Sequence, residues 1–349
     1  MIRRALAAGA ACIALLAAAS ATAASPDSLT PTEHRRGEEQ TFLTYPEWFL
    51  VHSPAEYAAY VVDHTPSDFP FWGHIRQLWS SYGAVTRATR EYPFNFGYHV
   101  MICVIATSTT VEYAIRSAYE TVIGRLTEVT VSHGMTEEDR YGARVAQEYV
   151  DFIRVLPWYE YDFVAKLRGL WKETSFFGPD MLRKWERKYA LTTEYGIKAA
   201  YGWLIKKATK ASYDAPLLVT AVIVDKLPAD IGAQLPDLKV LLEKTGGPAL
   251  VTVPRYDAFK TYAIGLAKGG ATFREIAGNG ADARILLTVL APSDWTTALA
   301  GSSVLFEDPI LTRPVRKRVA LVVSVGQLAA ALNTLSGARD VEIEHVYDY

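Results

Sequence analysis

From Thr41 to about Ser212 apolar residues recur at steps of three and four, and after Ala215 they recur at steps of two. The first period is that of helices and the second that of strands, so a helical part precedes a mixed part. Ser53-Pro54-Ala55-Glu56 has the residues of an N-cap, a first-turn proline and a capping-box glutamate, which predicts a helix from there to about Asp63. Further helices are predicted from about Pro70 to Arg90 and from about Phe96 to Thr130. In the latter, Val111, Ile115, Ala118, Val122 and Leu126 form one stripe, expected to face the core. Thr136 and Asp139 can cap the next helix, whose stripe is Tyr141, Val145, Tyr149, Phe152 and Leu156. Pro157 ends it and opens another reaching about Glu173, and Gly178-Pro179 precedes a last long helix ending near Ala211.

The mixed part reads as strands near 217–224, 249–253, 272–276, 285–290, 319–325 and 341–347, with helices near 258–268 and 327–335. Gly278-Asn279-Gly280 is a hairpin turn. A β-α-β-β order followed by β-α-β predicts an α+β fold: an N-terminal all-helical domain followed by a C-terminal ferredoxin-like α/β sandwich. No internal repeat is visible. The connection from Ser293 to Lys317 is long, and it carries Arg313, Arg316 and Lys317 next to Arg318. It is either a loop that receives an anionic ligand or an extra edge strand whose charges block pairing.

The N-terminus changes the setting. Arg3 and Arg4, an apolar run from Ala5 to about Ala19, and Ala21-Thr22-Ala23 are the three parts of a secretory signal. The expected division is a signal peptide over 1–23, a mobile leader over 24–40, a helical domain over 41–212 and the ferredoxin-like domain over 213–349. The expected location is the periplasm, or the inner membrane if the segment stays uncleaved as an anchor. Cleavage would remove Cys12 and leave Cys103, in the apolar Met101-Ile102-Cys103-Val104-Ile105, as a buried thiol without a disulfide partner.

The ending Val341-Glu342-Ile343-Glu344-His345-Val346-Tyr347-Asp348-Tyr349, after a short helix, resembles the last β-α-β of ACT-like regulatory domains. With Tyr45-Pro46-Glu47-Trp48 near its start, the whole chain resembles a family of exported bacterial proteins of unassigned role. Neither likeness implies an activity.

Charge matters by region. The 36 basic and 38 acidic residues of the 349 give −2, which argues against a nucleic-acid partner. Yet Met181 to Ser212 holds eight basic residues, Arg183, Lys184, Arg187, Lys188, Lys198, Lys206, Lys207 and Lys210, against Glu186 and Glu194. All of the basic residues but Lys207 fall within one half of the wheel, and Leu182, Trp185, Tyr189, Ile197, Ala200, Trp203 and Leu204 fill most of the other half. The basic face, with Trp185 and Trp203, is expected either to lie on anionic lipid head groups or to pack on residues 24–150, whose 16 acidic and 9 basic residues offer a counter-surface. The uncharged stretch from Tyr92 to Val111 is expected to be a buried helix or to insert at a membrane.

Glu112, Arg116 and Glu120, at four-residue steps, form either an ion-pair ladder or an acid-base site, with His99 a further candidate. Serine-hydrolase elbows, phosphate loops and metal-ligand spacings do not occur in the sequence, so no cofactor or metal is expected. The expectation is an exported, non-catalytic envelope protein that binds a ligand or a protein partner, with a place beside the inner membrane open to it. The alternative is a metal-independent hydrolase or transferase with a polar cleft in its helical domain.

Overall fold

The computed structural model describes residues 28–210, 217–228, 230–243 and 247–349. The predicted signal segment 1–23 and the start of the leader lie outside them, as does the side chain of Lys210. The chain forms two compact units. One holds Glu47–Trp79 and Gly97–Asp214. The other holds the described residues up to Pro46, together with Ser80–Phe96 and Ala215–Tyr349. Its longest segment starts close to the boundary read at 213, and it takes in two earlier segments as well.

The helices of the N-terminal region are α1 (Gln40–Tyr60), α2 (Phe71–Ala88), α3 (Phe96–Tyr119), α4 (Arg125–Glu128), α5 (Glu137–Ile153), α6 (Phe163–Glu173) and α7 (Met181–Lys210), with a π turn at Glu120–Gly124 joining α3 to α4. The cap of α5 is as read: Thr136 Oγ1 accepts from the Asp139 N–H, and the Asp139 carboxylate accepts from the Thr136 N–H. The capping box read at Ser53 is not formed. Helix α1 runs through Pro54, and the Ser53 hydroxyl turns to His74 and Tyr113 instead.

In the C-terminal part, strands β1 (Val219–Val224), β2 (Lys239–Glu243), β3 (Ala249–Pro254), β4 (Phe273–Ile276) and β5 (Asn279–Gly280) form one sheet in the order β2-β3-β1-β4-β5. Strands β6 (Arg284–Pro292), β7 (Ser303–Pro309), β8 (Arg316–Ser324) and β9 (Glu342–Tyr347) form a second in the order β7-β8-β6-β9. All neighbours are antiparallel. The helices are α8 (Ile231–Gln234), α9 (Asp257–Lys268) and α10 (Val325–Gly337). The strands thus divide between two sheets, where the sequence suggested one sandwich.

Setting aside the two-residue β5, the sheets repeat one plan: an edge strand, the strand after it, the first strand, then the strand that follows a helix. The repeat that the sequence hides is therefore present in the topology. One core serves both halves, with Val222, Val251 and Phe273 of the first sheet, Leu287, Leu321 and Val346 of the second, Phe259 and Leu266 of α9, and Leu328 and Leu332 of α10.

Residues 28–39, expected as a mobile leader, are packed. Thr30 is buried, the Arg36 N–H donates to the Ala277 carbonyl at 2.9 Å, and Asn279 Nδ2 donates to the Arg36 carbonyl at 3.1 Å. They lie on the β4–β5 hairpin, whose Gly278 has φ +85° and admits Arg35 where a Cβ would stand. On the far face of the second sheet, Thr41 Oγ1 donates to the Tyr347 carbonyl and accepts from the Leu286 N–H, and Tyr45 packs edge-on against Phe306.

Leu287→Ala should lower stability by about 3 kcal/mol in chemical denaturation and reduce amide protection in both sheets. Loss confined to the second sheet would show that the halves do not share a core.

Candidate functional site

Three helices carry the charges that the sequence singled out. Glu112, Arg116 and Glu120 do not pair only along their own helix; they meet α7. Lys198 Nζ stands 3.2 Å from Glu112 and 2.7 Å from Glu194, and Arg116 lies 3.7 Å from Glu194. Arg187 binds Glu120 through two bonds of 3.0 and 2.9 Å and also contacts Glu186. One turn further, Arg183 Nη1 donates to the Gly124 carbonyl at 3.0 Å, while its Nη2 reaches Asp139 on α5 at 3.0 Å. Lys184 pairs with Glu137 and Glu138, and Lys188 lies 3.4 Å from Glu138. Rising numbers on α3 meet falling numbers on α7, so the two helices are antiparallel.

The Arg183–Lys188 end of this seam is buried, while Glu112, Arg116, Glu194 and Lys198 are partly exposed. Arg183 has 0% exposure and Lys184, Arg187 and Lys188 3% each. These four basic residues are therefore turned inward and neutralised by acidic residues, those of the preceding segment among them, which is the arrangement of the second expectation. Lys206 pairs with Glu160 and Lys207 lies over the Trp203 ring at 4.1 Å. Burial opposes the charge on Glu194, but the Arg116 and Lys198 cations outweigh it and hold the carboxyl at about 2. Arg116 also lies over the Tyr57 ring at 4.4 Å. At Gly124, in the π turn, a Cβ would collide with the Glu120 carboxylate where it stands on Arg187, so any larger residue would displace that carboxylate.

The stripe expected to face the core points the other way. Val111, Ile115, Val122 and Leu126 are 53–65% exposed, and Ala118 is exposed too. The buried side of α3 is instead His99, Ile102, Ala106, Thr109, Tyr113 and Ser117, mostly small or polar. On α7, Leu182, Tyr189, Ile197, Tyr201, Trp203 and Leu204 are 42–64% exposed and Trp185 37%. Cys103, expected to be buried, is exposed on α3. From Phe96 to Ile123 and from Met181 to Leu204, no exposed position carries a charge. By length and composition Phe96–Glu128 is the one helix among the described residues able to cross a membrane.

At about 100° per residue, each helix turns about 130° from the side that meets the other to the centre of its apolar side, in the same rotational sense. Antiparallel axes reverse one of those turns in a common view. Both apolar sides therefore face one way, forming a plateau over the ionic seam.

The other candidates are dispersed. His99 is buried, which lowers its pKa, and it sits more than three turns along α3 from Glu112, so the two do not form one site. The Ser293–Lys317 connection contains edge strand β7. Arg316 donates to the Leu290 carbonyl at 2.9 Å and Lys317 pairs with Glu307 at 2.8 Å, while Arg313 is exposed, so the cluster forms no anion cradle.

Sequence reading missed one constellation. Ser53 Oγ lies 3.0 Å from His74 Nδ1 and 2.7 Å from Tyr113 Oη, and His74 Nε2 lies 3.6 Å from Glu56. That is the order of nucleophile, base and carboxylate, but Ser53 and His74 are each 1% exposed, so no substrate reaches the hydroxyl. The cavity beside the seam, lined by Tyr57, Arg116, Glu120, Arg187 and Glu194, holds about 30 Å³, room for a water or two. No group of three or more metal-ligating residues is assembled among the described residues. The chain matches no family model, no curated protein and no solved structure.

Glu194 sets a pH signature. Its carboxyl is held near 2, below the ordinary value of about 4.3, so its contribution is complete above about pH 4.5 and is lost as pH falls towards 2. Glu194→Gln should cost about 3 kcal/mol at neutral pH in urea denaturation and converge with the native chain near pH 2. A difference independent of pH would contradict this account.

Proposed function

We propose that the protein is a non-catalytic binding protein of the bacterial cell envelope, whose working surface is the apolar plateau of α3 and α7. One observation carries the reading: both helices turn their charges inward and their aliphatic and aromatic residues outward. A helix packed for water does the reverse, and a contiguous exposed apolar patch of this size marks a place where something docks. The arginine pair, apolar run and Ala21-Thr22-Ala23 at the N-terminus support export. In this reading the two sheets are two ferredoxin-like halves in tandem, a view supported by their shared strand order.

The double substitution Ile115→Asp with Ile197→Asp tests it. In detergent-free buffer the native chain should bind an apolar dye and sediment as assemblies, whereas the variant should be a monodisperse monomer with unchanged far-UV circular dichroism. A native chain that is itself a monodisperse monomer without dye binding would end the reading.

A further inference from the structure

We infer that the occupant of the plateau is the hydrocarbon of a lipid bilayer, with α3 and α7 lying along its surface and not crossing it. The inference rests on the plateau being the working surface, and it names what covers it.

The electrostatics of the face point to lipid. Its exposed positions include no charge, and its polar groups are single hydroxyls such as Thr107, Ser108, Thr121 and Thr193. A specific protein partner is oriented by a polar rim and complementary charges, and this face offers neither across its width. Hydrocarbon asks for none. Beneath the face, the ionisable residues are paired with one another, and the buried side of α3 and its π turn is made of small residues, Ala106, Thr109, Ser117 and Gly124, with Ala106 against Phe49 of α1 and Leu78 of α2. Small residues between helices and charges turned to internal partners are how helices pack when their outer side meets lipid.

The flanks carry the residue types of a bilayer interface. Trp79 Nε1 donates to Thr110 and Trp171 Nε1 to Thr192, Phe176 packs edge-on against Trp185 at 4.0 Å, and Lys207 covers Trp203. Amphipathic rings with a polar edge settle at head-group level.

Helix α5 decides between lying and spanning. Its outer side exposes Arg140, Arg144 and Asp151 beside an open depression of about 430 Å³. It meets α7 through Lys184 and Lys188, whose direction on the wheel is away from the apolar side. A crossing pose would put those charges at membrane depth; a lying pose leaves them in water.

The full chain should sediment with vesicles of pure phosphatidylcholine, and molar salt should not release it, because the attraction comes from the apolar face and not from charge. On vesicles Cys103 should lose its reactivity to maleimide, brominated acyl chains should quench tryptophan emission, and Ile115→Asp with Ile197→Asp should abolish binding. Binding that requires anionic lipid, or that salt reverses, would overturn the inference. So would a native chain that self-associates without detergent yet ignores vesicles, which would make a second copy the occupant and leave the working surface standing. A dye-free monomer would remove both. For the pose, an impermeant maleimide should label Phe96→Cys and Arg125→Cys alike in a Cys103→Ser background; labelling at one end alone would mean a span.

Discussion

The helical unit is organised around one interaction, the part-buried ionic pairing of α3 with α7 through Glu112–Lys198, Arg116–Glu194 and Glu120–Arg187. Charges taken out of water are tolerable only when paired and hydrogen-bonded, so each helix must present its charged side to the other. Everything else about these helices follows. With the polar side committed inward, the remaining side is apolar by composition, and it faces outward whatever the solvent there. The π turn and Gly124 serve the same pairing, because they let Glu120 and the Gly124 carbonyl reach Arg187 and Arg183.

The sequence made some of this legible and inverted the rest. Periodicity in Val111, Ile115, Ala118 and Val122 correctly reports two unlike faces, but it carries no sign; the usual inference that the apolar face is inside assumes water outside. The sign was present elsewhere, in the acidic excess of 24–150 set against the basic run of 183–210, and in the small residues Ala106, Thr109 and Ser117 opposite the stripe. Thr136 and Asp139 announced the start of α5 because a capping box is a local interaction. Ser53 misled for the complementary reason: its hydroxyl is claimed by His74 and Tyr113, far along the chain.

In the C-terminal part the alternating strands were readable and their partition was not. Strand β2 is exposed along its length and β7 at four of its seven positions, with Asp308 the one buried, so neither shows the buried apolar alternation that marks a strand. Without them the shared order of the two sheets cannot be seen. Only the pairing reveals it, since the connections differ: a short helix between β1 and β2, and an irregular stretch between β6 and β7.

The spacing of the rungs has one more effect. Between the rungs at Arg116 and Glu120, α3 advances four residues while α7 advances seven. The rungs on the two sides of that step are therefore out of phase, like the two scales of a vernier. Sliding α7 by one turn would bring Glu194 against Glu112, like against like, and leave Arg116 facing Ala190, even as Arg183 reached Glu120. No slip satisfies both halves of the seam, so this antiparallel pair has a single register, fixed by one uneven step between its rungs.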